Sequence, residues 1–116
     1  YRLTARPHTY EGMPPVEALD VAILQRHVLT PLLGIEDPRV SERISFVGGI
    51  RGMDELEQRV DARGHGVAFS MFATPMEALL QVADDNDIMP PKSTWFEPKL
   101  RSGLFVNPIF DLPPSP

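Results

Sequence analysis

Apolar and polar residues follow each other along the chain with two different periods, and these periods predict helices and strands. In residues 21–32 apolar side chains recur at spacings of three and four, which places them on one face of a helix. Asp20 is predicted to cap this helix, Pro31 to kink or end its last turn, and Gly34 to follow its end. Asp37-Pro38 predicts a further short turn of helix that runs to about residue 43.

Two apolar runs, residues 44–47 and 67–72, predict short strands, and the second run has the composition of a central parallel strand. An amphipathic helical pattern over residues 53–63 separates them and stops at Gly64. Thr74-Pro75-Met76-Glu77 is a capping box with a proline at the first helical position, so another helix is predicted to open there. The order strand, helix, strand, helix predicts a parallel βαβα unit with a right-handed crossover.

These elements predict a single domain of the α/β or α+β class over residues 1–110, followed by a disordered tail at 111–116. The expected architecture is a small mixed sheet with a parallel βαβα core and flanking helices, in a two-layer or three-layer sandwich. Residues 1–6 alternate as a half-buried strand does, and 92–96 and 103–106 are predicted as a hairpin or two edge strands. The predicted core consists of Val21, Leu24, Val28, Phe46, Leu56, Val60, Val67, Phe69, Met71, Leu79 and Leu80.

Composition narrows the class of protein. The chain of 116 residues has no cysteine, which excludes disulfide frameworks and thiolate zinc sites and suits a reducing compartment. Its formal charge of −5 argues against a nucleic-acid binder, and no apolar stretch reaches the ~20 residues that a membrane span needs. We therefore expect a cytoplasmic protein with no nucleic acid and no membrane among its partners. Because the first residue is Tyr1, we also expect a fragment of a longer protein.

Three groups of residues carry chemistry that could form a site. Asp84-Asp85-Asn86-Asp87 clusters carboxylates but lacks the EF-hand pattern, so a solvated helix C-terminus is the preferred interpretation. His8, His27 and His65 form no pair with metal-ligand spacing. The glycine-rich segment 48–52 fits neither a Walker A loop nor a dinucleotide fingerprint, so a flexible turn is preferred. We predict no metal and no cofactor and assign no catalytic residue, and whether the domain is an enzyme is left open.

The segment from residue 89 to residue 104 differs from the rest of this acidic chain because it combines cations, hydroxyl groups and aromatic rings between prolines. Cations beside short hydroxyls suit an anion or a phosphate, and prolines lower the cost of ordering them. The predicted anion-binding residues are Lys92, Ser93, Thr94, Lys99 and Ser102, with Trp95 and Phe96 as an aromatic wall. The alternative is a packed loop, in which the aromatic rings are buried and the lysines only face water.

The same loop resembles part of a known family. Met-Pro-Pro-Lys-Ser-Thr-Trp-Phe-Glu-Pro-Lys, followed by Ser-Gly-Leu, resembles the carboxy-terminal signature of domain-of-unknown-function family 1015, which comprises uncharacterised bacterial and archaeal proteins. Residues 20–24, 31–35, 68–69 and 74–75 are similar to further segments of that family, so the similarity extends over about residues 20–109. The family commonly has Tyr or Phe where this chain has Trp95, and Tyr where it has Glu97.

The resemblance implies a parent protein several times longer, whose upstream part carries an Asp-Gly-His-His-Arg motif. That motif looks like the nucleotide-handling signature of the ParB and sulfiredoxin-like group, which includes free-serine kinases, and this chain lacks it. The upstream domain is therefore the expected partner, together with an anionic small molecule. The first function expected is a ligand-site or accessory domain with an anion-binding loop. The alternatives are an interaction module that docks on the upstream domain without a ligand, and part of a nucleotide-dependent, kinase-like enzyme.

Overall fold

A computed structural model of the chain describes residues 1–94, and residues 95–116 lie outside the described part. Helices joined by irregular segments make up residues 1–94, and no strand occurs in them. The predicted α/β or α+β fold with a parallel βαβα core is therefore wrong for this part of the chain. The predicted strand at 103–106, the end of the one at 92–96, and the tail at 111–116 lie outside the described residues.

The first long helical stretch consists of α1 (Asp20–Leu24), a π-helical segment (Gln25–Leu29) and α2 (Thr30–Leu33). Pro31 accounts for the change of helix type, because it has no N–H to donate to the carbonyl group four residues earlier. The turn before it widens, so that the Thr30 N–H bonds the Gln25 carbonyl group, five residues back. Asp20 is the first helical residue and makes no cap hydrogen bond, so its predicted role as the cap is wrong.

Gly34 ends this stretch in the left-handed conformation, with φ 64°, as predicted for a residue that follows a helix end. Its N–H donates to the Thr30 carbonyl group at 3.1 Å, and the Ile35 N–H donates to the Leu29 carbonyl group at 2.9 Å. The Gln25 side chain holds the loop that follows, since its Nε2 donates to the Ile35 carbonyl group at 2.7 Å. Ile35 is thereby folded back against the helix and is buried.

The loop after α2 is closed by a charged turn at residues 37–41, in which the Ser41 N–H donates to the Asp37 carbonyl group at 3.2 Å. The helical turn predicted to run to about residue 43 therefore forms only over its first residues, and no helix continues beyond them. Asp37 accepts hydrogen bonds from the Arg39 guanidinium, with Nη2 2.7 Å from Oδ2, and from the Arg39 N–H at 2.9 Å. These bonds stabilise the charged carboxylate and lower the pKa of Asp37 to about 2. The Arg43 guanidinium donates to the Leu33 carbonyl group at 2.8 Å, which satisfies one terminal carbonyl of α2.

Two further helices, α3 (Gly52–Arg63) and α4 (Met76–Asp84), confirm the helical patterns in the sequence. α3 ends at Gly64, with φ 65°, as predicted. Glu55 on α3 pairs with Arg59 one turn later, and their Oε1 and Nε atoms are 2.7 Å apart. No helix in residues 1–94 is long and apolar enough to cross a bilayer.

α4 ends in a Schellman motif, which lies within the acidic cluster at residues 84–87. Asn86 adopts φ 58°, and its N–H donates to the Ala83 carbonyl group at 3.0 Å. The Asp87 N–H reaches further back, to the Val82 carbonyl group, also at 3.0 Å. Residues 84–87 therefore form a helix C-terminus, as the preferred interpretation of the sequence had it.

The two predicted strands at 44–47 and 67–72 are irregular segments. Within the described part of the chain, neither segment takes part in a backbone hydrogen bond. A strand exists only when a neighbouring strand pairs with its N–H and carbonyl groups, and β-propensity depends on that context more than helix propensity does. The residues predicted as an N-terminal strand, 1–6, are likewise exposed and irregular. The parallel pairing of 44–47 with 67–72 is therefore wrong.

The core of the described part is small and does not match the predicted one. Its buried apolar side chains are Leu19, Leu29, Ile35 and Val82. None of the eleven predicted core residues is fully buried: Phe46, Val67, Met71 and Leu80 are exposed, and the other seven are half-buried. Most of the predicted core residues instead line an open groove of about 1510 Å³ between α1, α3, residues 67–75 and Ala78 at the start of α4, which we call the apolar groove.

Candidate functional site

The Lys-Ser-Thr segment begins with a tight turn over residues 90–93. The Ser93 N–H donates to the Pro90 carbonyl group at 3.3 Å, and the Ser93 hydroxyl donates to the same oxygen at 2.6 Å. Pro91 is the second residue of the turn, and Lys92 is the third, with φ 61°. This is the pattern of a type II turn, in which the third position requires a positive φ. Lys92 is therefore held in a conformation that costs a residue with a side chain about 1–2 kcal/mol.

Thr74 connects this turn to the start of α4. Its hydroxyl donates to the Ser93 carbonyl group at 3.2 Å across nineteen residues of sequence. The predicted capping box is therefore wrong, because Pro75 is the residue that precedes the helix and no side chain caps it. The hydroxyl that was assigned to the helix N-terminus holds the Lys92 turn in place instead.

A smaller cleft of about 510 Å³ lies where three segments meet, and we call it the loop cleft. Residues 46–50 form one side and residues 72–74 the other, while Lys92 and Ser93 complete the lining. Phe46, Val47 and Phe72 make most of its walls apolar, and Lys92 is the charged residue among the described residues that line it. The cleft is open to solvent, since Phe46 is 47 % and Phe72 is 83 % exposed, and it shares with small-molecule sites an apolar lining with few polar groups.

The glycine-rich segment contributes backbone to this cleft. Gly48 and Gly49 line it, and a short 3-10 helix (Gly49–Arg51) joins them to α3. Gly52, the first residue of α3, has φ 72°. The sequence interpretation of this segment as a flexible turn did not anticipate that it would meet Lys92, forty residues later in the chain. The signal that could have indicated it is the position of two glycines between an apolar run and a helix.

The structure brings together only part of the predicted anion-binding set. Lys92 and Ser93 line the loop cleft, whereas half-buried Thr94 does not. The Ser93 hydroxyl has a single hydrogen, which it donates to the Pro90 carbonyl group, so it is no donor for an anion. The remaining predicted residues lie outside the described part of the chain: Lys99, Ser102, Trp95 and Phe96. Phe46 and Phe72 supply aromatic side chains that sequence reasoning missed, because Phe46 was assigned to the core and Phe72 to the strand predicted at 67–72.

The other clusters named from the sequence offer less. Within residues 1–94, no three His or acidic side chains gather in a way that could hold a metal ion. His27 accepts a hydrogen bond at its Nε2 from the neighbouring Arg26 Nε at 3.3 Å, while His8 and His65 are exposed. The Arg26 guanidinium mainly serves the fold, since it contacts the Glu17 carboxylate at 2.9 Å and the Thr9 carbonyl group at 2.8 Å.

Comparisons of the chain with models of protein families, with curated proteins and with solved structures found no match. The resemblance to domain-of-unknown-function family 1015 stays a prediction, carried by the residues quoted for it.

Proposed function

We propose that this chain is an accessory domain of a larger cytoplasmic protein and that its loop cleft binds an amphipathic anion. The ligand would have an apolar body, placed between Phe46 and Phe72, and a phosphate or carboxylate group near Lys92. The observation that carries the proposal is the backbone of Lys92: a lysine stands at φ 61°, where glycine would be unstrained, at a mostly apolar cleft. Strain of this kind persists where the surrounding structure enforces it and is concentrated at ligand sites.

Chemistry at the cleft favours an amphipathic ligand over a bare anion. One ammonium group contributes ~1.5–3 kcal/mol through a charge-assisted hydrogen bond, which gives only weak binding by itself. Burying an aromatic ring between Phe46 and Phe72 adds apolar contact at about 25 cal/mol per Å². The predicted Lys99 and Ser102 would add donors if they reach the same anion. Under the family resemblance, the upstream domain would supply the rest of the pocket.

Substitutions at Lys92 test this proposal on the full chain, with phenyl phosphate as the probe and phenol and inorganic phosphate as its two halves. Lys92→Gln removes the ammonium and keeps the strained backbone, whereas Lys92→Gly removes both. We expect each variant to weaken phenyl phosphate binding by about tenfold or more, as loss of a charge-assisted bond implies. Lys92→Gly should also raise stability by about 1 kcal/mol, since glycine is unstrained at positive φ.

The measurements are ligand-detected NMR for affinity and urea unfolding for stability. Lys92→Arg is the matched control, because it retains the positive charge and should bind phenyl phosphate within about threefold of wild type, or ~0.6 kcal/mol. Equal binding of phenyl phosphate by wild type, Lys92→Gln and Lys92→Gly would show that Lys92 meets no anion, and the proposal would then be wrong.

A second function, docking on the upstream domain without a ligand, is favoured by a different observation. Large apolar side chains are exposed along the described part of the chain, and Phe72 and Ile88 are each more than four-fifths exposed. Such side chains mark contact surfaces when they lie side by side. Wild-type protein that binds none of the three probes but binds the upstream domain, supplied as a separate chain, would support this second function over the first. A kinase-like parent enzyme rests on the family resemblance alone.

A further inference from the structure

The outer face of α4 is apolar and acidic at the same time. Met76 and Leu80 lie one turn apart and are each 55 % exposed, and Asp84 continues the same stripe one turn later. Glu77 lies beside them and is also exposed. The inner face of the helix, by contrast, is already packed against the rest of the protein, since it buries Val82. An exposed apolar stripe flanked by charges is typical of a helix that packs against a second surface.

The apolar groove is also lined by apolar side chains, but its charge is opposite to that of α4. Its floor includes Val67, Phe69 and Met71, which are partly open to solvent. Six of its described lining residues are basic and four are acidic, which gives this part of the lining a net charge of +2, while the whole chain has −5. Arg63, at the end of α3, is an exposed member of the basic set. An acidic amphipathic helix therefore complements this groove in both charge and polarity.

We propose that the apolar groove of one chain binds α4 of a second copy of the same chain. If each copy offers its α4 to the groove of the other, the contact closes into a two-fold dimer. This inference does not depend on a ligand in the loop cleft.

Sedimentation of the full chain over a range of concentrations tests the dimer. Leu80→Asp places a charge in the apolar stripe and should raise the dissociation constant by about tenfold or more. Leu32→Asp is the matched control, since Leu32 on α2 is 73 % exposed and lies outside the groove lining. It should leave the dissociation constant within about twofold of wild type, or ~0.4 kcal/mol.

A charge exchange tests the orientation of the contact. Glu77→Lys on α4 and Arg63→Glu in the groove should each weaken self-association, because both put like charges at the contact. An equal mixture of the two variants should form a mixed dimer more tightly than either variant dimerises alone, since every contact then joins opposite charges. A chain that is monomeric at every concentration would overturn the proposal. That result is expected if residues 95–116 or the upstream domain, and not a second copy, occupy the groove. Equal effects of Leu80→Asp and Leu32→Asp would overturn it as well.

Discussion

Replacement of Val82 by alanine tests the packing of α4, because Val82 is 1 % exposed and has the most deeply buried side chain in the described part of the chain. The change removes two methyl groups, and at ~0.8 kcal/mol for each buried carbon the lost transfer free energy is ~1.6 kcal/mol. The cavity left behind adds to this, so the total loss of stability should be about 2–3 kcal/mol. That loss is a large fraction of the ~5–10 kcal/mol typical of a small domain.

Urea unfolding followed by far-UV circular dichroism measures this loss, at the lowest protein concentration the signal allows so that association does not contribute. Leu80→Ala is the matched variant on the same helix. It removes more atoms, but Leu80 is 55 % exposed, so the cost should stay below about 1 kcal/mol. The hydrophobic pattern alone had placed Leu80 in the core and not Val82. A Leu80→Ala cost equal to or above the Val82→Ala cost would therefore refute the structural assignment of the buried face.

Two further predictions concern the loop between α2 and residue 43. Gly34→Ala should cost about 1–2 kcal/mol in urea unfolding because of its φ of 64°, since the nearest atom to an added Cβ, Arg43 Nη1, is 3.7 Å away and does not clash. Gly49→Ala, at a glycine without a positive φ, should cost less, and equal costs would contradict a backbone origin. Arg39→Gln should raise the pKa of Asp37 from about 2 towards its ordinary 3.8, as measured by NMR titration. Because the folded pKa is the lower one, the stability from this pair is present above about pH 4 and is lost as the pH falls towards 2, and an unchanged pKa in the variant would contradict the assignment.

Helices were predictable from the sequence because their hydrogen bonds are local. The pattern at residues 53–63 and the glycine at 64 together define α3 to within one residue. A strand cannot form its backbone hydrogen bonds within its own segment. Residues 67–72 have the composition of a strand, but their N–H and carbonyl groups need a second segment at the right distance, and composition does not provide one. The fold class was therefore wrong even though all three long helical segments in the described part of the chain were predicted.

In the candidate site, too, the residues with a local sequence signal were predictable and their distant neighbours were not. Lys92 and Ser93 were recognisable because cations and hydroxyls cluster near prolines, which is a local signal. Their neighbours in the loop cleft were not, because Phe46 and Phe72 are far away in sequence and looked like sheet residues. Thr74 gave a positive but misleading signal: its spacing from Glu77 matches a capping box, while its hydroxyl bonds the Ser93 carbonyl group.

The conformation of Lys92 is the point at which local preference and observed structure disagree most. Proline at position 91 suits the second residue of either a type I or a type II turn, and a lysine after it would favour type I, which needs no positive φ. The Ser93 carbonyl group, however, is held by Thr74, and the Ser93 N–H and hydroxyl are both directed to Pro90. These three hydrogen bonds fix the fourth residue of the turn, so the strain falls on Lys92. A strained backbone conformation that the surrounding hydrogen bonds hold in place is expected at a residue that serves binding. This is why Lys92 is the centre of the proposed site.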